Sequence, residues 1–138
     1  MVEEYLRERY PDSVAKTRVR LGAVETSRAI NPGSSEELAM AGIFRRWADA
    51  IVVTPRALVL IEAAIRPDPG DPGKLLLYKS LIPQTPEFQP LLPRLIRMEL
   101  VVAIYDPDIA RQAEGFGIEV VRFLPKGLAG YIASMYVR

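Results

Sequence analysis

The sequence contains no histidine and no cysteine, and these absences remove several kinds of functional site. Without cysteine the chain cannot form disulfides or thiolate zinc sites. Without histidine it cannot use Ser-His-Asp or Cys-His catalysis, and it cannot build a histidine-ligated metal site. A metal bound by this chain must be held by carboxylates, carbonyl groups and water, a donor set that favours magnesium or manganese.

The sequence also lacks a dominant charge and a long apolar run. It has 18 Lys and Arg residues against 17 Asp and Glu residues, so there is no bulk basic field that by itself indicates nucleic acid. No apolar stretch approaches the roughly 18 residues of a membrane-spanning helix. The charged first residues are unlike a signal peptide. We therefore expect a cytoplasmic protein without a membrane partner, folded as a single domain over residues 1–138.

Hydrophobic periodicity predicts an α/β fold with the element order α-β-β-β-α-β-α-β-α. The first three strands should form an antiparallel meander, followed by a parallel strand–helix–strand unit, which gives a mixed central sheet flanked by helices. Predicted helices cover residues 2–10, 74–82, 106–114 and 127–136. Predicted strands cover residues 14–21, 47–53, 57–65, 99–105 and 118–124. Residues 25–35, 66–73 and 83–93 are predicted loops, and a short helical turn is predicted over residues 36–44.

Two carboxylates in the central hairpin are the most informative residues. If Val53 pairs with Leu58 across the turn, Asp49 lies opposite Glu62 with Cβ atoms roughly 5 Å apart. Two buried carboxylates are costly unless a cation lies between them, and a divalent metal would suit that position. The alternative is that Asp49 ends its strand near solvent while Glu62 pairs with an arginine, namely Arg45, Arg46 or Arg66.

Asp49, the hairpin, and the run Ile61-Glu62-Ala63-Ala64 resemble the core of the PD-(D/E)XK nuclease superfamily. In that superfamily an acid on one strand is followed by an acid-x-lysine run on the next, within a restriction-endonuclease-like fold. The resemblance implies that Asp49 and Glu62 ligate magnesium or manganese, with the Ala63 carbonyl and a first-helix glutamate such as Glu4 as further ligands. It also implies that the metal activates water for hydrolysis of DNA phosphodiesters.

Ala64 departs from this pattern because it occupies the position of the superfamily lysine. Three explanations are open. Lys74 or Lys79 on the following helix could reach back; the lysine could have been removed by an inactivating change; or the chain could be a natural nuclease-like protein kept for binding. The expected function is a metal-dependent DNA endonuclease of phage type. The alternative is a structural or interaction module, for example in a phage particle.

Basic residues near the hairpin suggest a DNA partner. Lys16, Arg18 and Arg20 alternate along the first strand and could track a nucleic-acid backbone. Arg45 and Arg46 precede Trp47, which offers a stacking face, and Arg66 follows the second acidic strand. The alternatives are a solvated strand face and a salt-bridging arginine pair beside a core tryptophan. A homodimer or an assembly partner is also compatible with the sequence.

Overall fold

A computed structural model describes residues 1–22 and 46–136. Its helices are α1 (Val2–Arg9), α2 (Asp71–Leu81), α3 (Pro107–Gly115) and α4 (Leu128–Tyr136), numbered over the described residues. Its strands are β1 (Val14–Leu21), β2 (Arg46–Val53), β3 (Ala57–Ala64), β4 (Leu95–Val102) and β5 (Ile118–Arg122). Neither described part of the chain contains a helix long and apolar enough to cross a membrane.

The five strands form one mixed sheet in the order β1-β2-β3-β4-β5. The pairs β1–β2 and β2–β3 are antiparallel, whereas β3–β4 and β4–β5 are parallel. The predicted meander and the predicted parallel strand–helix–strand unit are both confirmed. The fold is therefore α/β, with a mixed five-stranded sheet flanked by helices.

The sheet separates two apolar layers because β3 is apolar on both of its faces. Leu58 and Leu60 join the layer that contains α2 and α3. Val59 and Ile61 join the opposite layer, against Tyr5 and other residues of α1. Burial on both faces is expected for a central strand covered by helices on each side.

Helix α3 begins where the sequence predicts it. The Asp106 side chain accepts hydrogen bonds from the backbone N–H groups of Asp108 and Ile109, at 3.0 and 3.2 Å. These bonds satisfy two of the donors that a helix N-terminus leaves free, and Pro107 needs no such partner. The predicted cap at Asp106 is confirmed.

Three predicted boundaries are wrong. Helix α2 begins at Asp71 rather than at residue 74, because a proline in the first helical turn loses no hydrogen bond and does not prevent helix formation. Strand β4 covers Leu95–Val102 rather than residues 99–105, because the exposed Arg97 interrupts the apolar pattern near its start. Strand β5 ends at Arg122, two residues early. The loop and turn predicted over residues 25–35 and 36–44 lie outside the described residues.

The predicted regular alternation of β1 is also wrong. Ala15 and Thr17 are exposed although they were expected to face inward, and only Val19 and Leu21 are buried. Arg18 has a φ of 51°, in the left-handed region that non-glycine residues rarely adopt. A left-handed residue turns the strand, so residues before and after Arg18 do not follow one alternation.

Candidate metal centre

The hairpin of β2 and β3 has the register that the sequence predicts. Val53 pairs with Leu58 and Ala50 pairs with Ile61, with regular antiparallel partners between them. The next position in this register places Asp49 opposite Glu62. Both carboxylates therefore lie where the β2–β3 ladder ends.

At this point the side chain of Asp49 replaces a backbone carbonyl as the hydrogen-bond acceptor. Its Oδ2 accepts a hydrogen bond of 2.9 Å from the backbone N–H of Ala63. A carboxylate that accepts a strand N–H replaces a ladder bond, so the two strands no longer need to pair beyond Asp49. One oxygen of Asp49 is thereby fixed by the backbone of β3.

Glu62 is buried beside Asp49, with 8% of the residue exposed. Burial raises the pKa of its carboxyl to about 8, and a hydrogen bond to Asp49 and the negative charge of Asp49 add to the rise. Its Oε2 is the one buried side-chain oxygen or nitrogen in residues 1–22 and 46–136 that lacks a hydrogen-bond partner. Such an atom is costly in a protein interior unless something binds it.

The lysine of α2 that lies nearest these acids is Lys74. Its positive charge lowers the pKa of Glu62, while Asp71 raises it, so both groups lie within electrostatic range of the pair. Lys74 Nζ lies 3.6 Å from Asp71 Oδ1. Lys79 is exposed, and no contact joins it to these acids among the described residues. Of the two lysines that could replace the missing one, Lys74 is the one whose charge acts on Glu62.

Two other predicted ligands are placed differently. Glu4 belongs to α1, which packs on the opposite face of the sheet, and its Oε2 accepts a hydrogen bond of 3.0 Å from the Lys126 backbone. The structure does not bring Glu4 to Glu62, because a first-helix side chain would have to pass through the sheet. Ala63 lies beside the site and contributes its N–H to Asp49. Ala64 follows on the Glu62 side of β3, without a donor or a charge.

The donor set fits one small, hard cation. The buried Oε2 of Glu62 has no hydrogen-bond partner and lies beside the Asp49 carboxylate, and magnesium typically takes one or two carboxylates and completes its shell with water. No group of three histidine, cysteine, aspartate or glutamate side chains in the described ranges could hold a metal ion. A metal here would therefore depend on the two carboxylates and water.

The predicted DNA-contacting residues lie on the neighbouring strand edge. Arg20 pairs in register with Trp47, and Arg18 lies opposite Asp49, since the pairs on either side of it are Thr17–Ala50 and Val19–Ala48. Both arginines are exposed, and Trp47 is 46% exposed rather than a core residue. Arg18 thus lies next to Asp49, whereas Arg20 and Trp47 alternate with Val19, Leu21 and Ala48 of the α2 layer and face the other side of the sheet.

The arginines that could have neutralised Glu62 do not do so within the described residues. Arg66 is exposed and makes no ion pair with Glu62. Arg45 and the side chain of Arg46 lie outside what the structure describes. Among the described groups, the cation that lowers the pKa of Glu62 is Lys74.

A second buried carboxylate was missed by sequence reasoning. Glu99 is fully buried and accepts hydrogen bonds from the Tyr5 hydroxyl, at 2.5 Å, and from the Tyr10 hydroxyl. Arg97 Nη2 lies 3.7 Å from it. The available signal was an acid inside the apolar run Met98–Val102, together with two tyrosines near the start of the chain. Unlike Glu62, Glu99 has partners for both of its oxygens.

Comparisons with known proteins do not identify a family for this chain. No family model and no curated protein matches its sequence. Among solved structures, the chain is similar to the crystal structure of a protein of unknown function, AF1548, with a TM-score of 0.48 and 11% identity over 87% of this chain. The match covers 53% of that chain, so the present chain spans about half of its length. Similarity at this level carries no argument about function.

Proposed function

We propose that this chain is a divalent-metal-dependent DNA endonuclease domain with a restriction-endonuclease-like core. Asp49 and Glu62 hold the metal, and Lys74 supplies the cation that Ala64 cannot. The observation that carries this proposal is the buried, unpartnered Oε2 of Glu62 beside Asp49. A purely structural carboxylate would have its oxygens satisfied, as those of Glu99 are.

Each residue of the site has a separate task in this proposal. Asp49 is held by the Ala63 N–H and presents its second oxygen to the cation. Glu62 must be ionised to bind, so its raised pKa makes binding stronger as the pH approaches 8. A magnesium or manganese ion held by these two carboxylates would supply an activated water and would neutralise charge on the phosphodiester. The Lys74 ammonium favours the ionised form of Glu62 and can donate a hydrogen bond to a phosphate oxygen.

The strand edge beside the site supplies the DNA contacts. Arg18 and Arg20 are exposed on β1, and the sheet register brings them next to Asp49 and Trp47. Arginine forms paired hydrogen bonds to phosphate, and an exposed indole ring can stack on an unpaired base. A DNA backbone that follows β1 would therefore pass the two carboxylates.

The test is cleavage of supercoiled and four-way branched DNA with and without magnesium. We expect the wild-type chain to cut, and Lys74→Met to lower kcat by about 100-fold or more, because it removes a donor to the developing negative charge. Lys79→Met is the matched control, since Lys79 is exposed on the same helix, and it should retain activity.

An Ala64→Lys variant separates the remaining explanations. Activity that appears only in Ala64→Lys would contradict the role of Lys74 and indicate an inactivated nuclease. The absence of cleavage by both the wild type and Ala64→Lys would overturn the enzymatic proposal.

The second candidate is a nuclease-like module that binds DNA or a partner without cutting. Two observations favour it: Ala64 has no donor, and Lys74 already pairs with Asp71. This candidate predicts DNA binding that is independent of magnesium and unaffected by Lys74→Met. A fluorescence-anisotropy titration of labelled DNA, with and without magnesium, measures both properties.

A further inference from the structure

Asp71 is the first residue of α2 and makes two contacts that point in different directions. Its Oδ2 accepts a hydrogen bond of 2.8 Å from the Asp68 backbone N–H. Its Oδ1 lies 3.6 Å from Lys74 Nζ, one helical turn away. The Asp71 side chain is 6% exposed, whereas that of Lys74 is 55% exposed. The buried and fixed carboxylate of Asp71 therefore pairs with the ammonium end of the exposed Lys74 side chain.

The segment that fixes Asp71 joins β3 to α2. Gly70 donates a backbone hydrogen bond of 2.8 Å to Asp68 Oδ1, and Asp71 donates one of 2.9 Å to the Asp68 carbonyl. Together with the bond to Asp71 Oδ2, these contacts close a tight turn directly after the strand that carries Glu62. The orientation of the Asp71 carboxylate is thus set by contacts within this turn.

A lysine without such a partner would not stay near Glu62. Its side chain has four rotatable bonds and a strongly hydrated ammonium group, so solvent competes for it. Both Asp71 and Glu62 attract Lys74: burial lowers the pKa of Lys74, these two carboxylates raise it, and the net change is upward. Asp71 can therefore restrict Lys74 to the side of α2 that faces Glu62.

We propose that Asp71 is a positioning residue of this site, which pairs with the Lys74 ammonium and holds it on the side of α2 that faces Glu62. The effect of Asp71 on catalysis rests on the proposed function, since it requires that the chain cleaves DNA. The geometric part of the inference, that Asp71 orders Lys74, is independent of whether the chain cleaves DNA. The alternative role of Asp71 is to stabilise the N-terminus of α2, as acidic residues in a first turn generally do.

The variant Asp71→Asn tests the proposal. The asparagine oxygen can still accept the bond from Asp68, while the ion pair to Lys74 is lost. The matched control is Asp108→Asn, because Asp108 forms the corresponding exposed pair with Arg111 in the first turn of α3, at 3.5 Å. NMR titration of the Lys74 ε-methylene and Nζ signals, assigned through Lys74→Met, reports on the ordering of this side chain directly.

We expect Asp71→Asn to lower the Lys74 pKa and to average its ε-methylene signals, while Asp108→Asn leaves both unchanged. We also expect Asp71→Asn to lower kcat for DNA cleavage by about 10- to 100-fold with KM unchanged. In a Lys74→Met background the same change should have no further effect on kcat. Two results would overturn the inference. One is that the Lys74 signals do not change in Asp71→Asn. The other is that adding Asp71→Asn to Lys74→Met lowers kcat further.

The two proposals fail in different ways. If the wild type does not cut DNA but the Lys74 signals respond to Asp71→Asn, the proposed function is wrong and the positioning contact stands. If the wild type cuts DNA and Asp71→Asn leaves Lys74 and kcat unchanged, the positioning role is wrong and the function stands.

Discussion

Glu62 and Glu99 are both buried glutamates, and the contrast between them supports the assignment of the site. Glu99 lies on the α1 face and accepts hydrogen bonds from two tyrosines. Glu62 lies on the α2 face and keeps an unpartnered oxygen beside a second carboxylate. A buried carboxylate with satisfied oxygens stabilises the fold, whereas one without partners is a candidate for binding.

The first prediction concerns the pH dependence of stability. The pKa of Glu62 rises from 4.5 to about 8 on folding, so the folded state holds this proton more tightly than the unfolded chain. Its contribution is therefore fully present below pH 4.5 and is lost as the pH rises through about 8. In metal-free buffer, we expect the free energy of unfolding of Glu62→Gln, relative to the wild type, to rise by roughly 2 kcal/mol across this window.

Urea denaturation at a series of pH values in the presence of a chelator measures this difference. Glu114→Gln is the control, because Glu114 is exposed on α3. A Glu62→Gln difference that stays constant from pH 4.5 to 8 would show that burial does not hold a proton on Glu62.

At the scale of elements, α1 is joined to the sheet by Glu99 as well as by apolar packing. Tyr5 and Tyr10 both donate to this carboxylate, and Leu6 packs in the same layer. Burial and the hydrogen bonds to Glu99 raise the pKa of Tyr5, and raise that of Tyr10 to about 12. The two hydroxyls therefore remain protonated donors at any ordinary pH.

The second prediction is that Tyr10→Phe destabilises the protein by about 1–3 kcal/mol, because it leaves one oxygen of a fully buried carboxylate without a donor. The folded pKa of Tyr10 is raised above its usual value of 10.0, so this stabilisation is present below pH 10 and is lost as the pH rises towards 12. Chemical denaturation at neutral and alkaline pH checks both parts.

Tyr131→Phe serves as the comparison for Tyr10→Phe. Tyr131 is 60% exposed, so loss of its hydroxyl should change stability by no more than about 0.5 kcal/mol. Equal effects of the two substitutions at neutral pH would mean that the bond to Glu99 contributes nothing to the docking of α1.

The elements also show how far the sequence could predict this structure. The β2–β3 register followed from a short turn and apolar strands, so the pairing of Asp49 with Glu62 could be predicted. Glu99 was placed at the start of a strand but not recognised as a buried group, because its tyrosine partners lie some 90 positions away in the chain. Asp71 was missed because its role depends on a turn with Asp68 that only the fold reveals.

Arg18 marks another limit of sequence reasoning. Its left-handed φ of 51° interrupts the alternation of β1, and no residue pattern indicates this conformation. A strained non-glycine residue opposite Asp49 is consistent with a functional constraint on its side chain. In the proposed function, that constraint is contact between Arg18 and DNA.

At the scale of the whole molecule, the sheet assigns different tasks to its two faces. The α1 face carries a closed polar network around Glu99, and the α2 face carries the open carboxylate pair with Lys74 and Asp71. The β1 edge carries exposed arginines, of which Arg18 lies in register with Asp49. Cation binding and DNA contact are thereby proposed for one end of the β2–β3 hairpin.

The most direct test of this account is calorimetric titration of manganese into the metal-free protein above pH 8, where Glu62 is ionised. We predict binding by the wild type, a loss of more than about 100-fold in affinity for Glu62→Gln and Asp49→Asn, and no change for Glu114→Gln. Manganese binding by Glu62→Gln with the affinity and stoichiometry of the wild type would contradict the assignment of Asp49 and Glu62 as the metal centre.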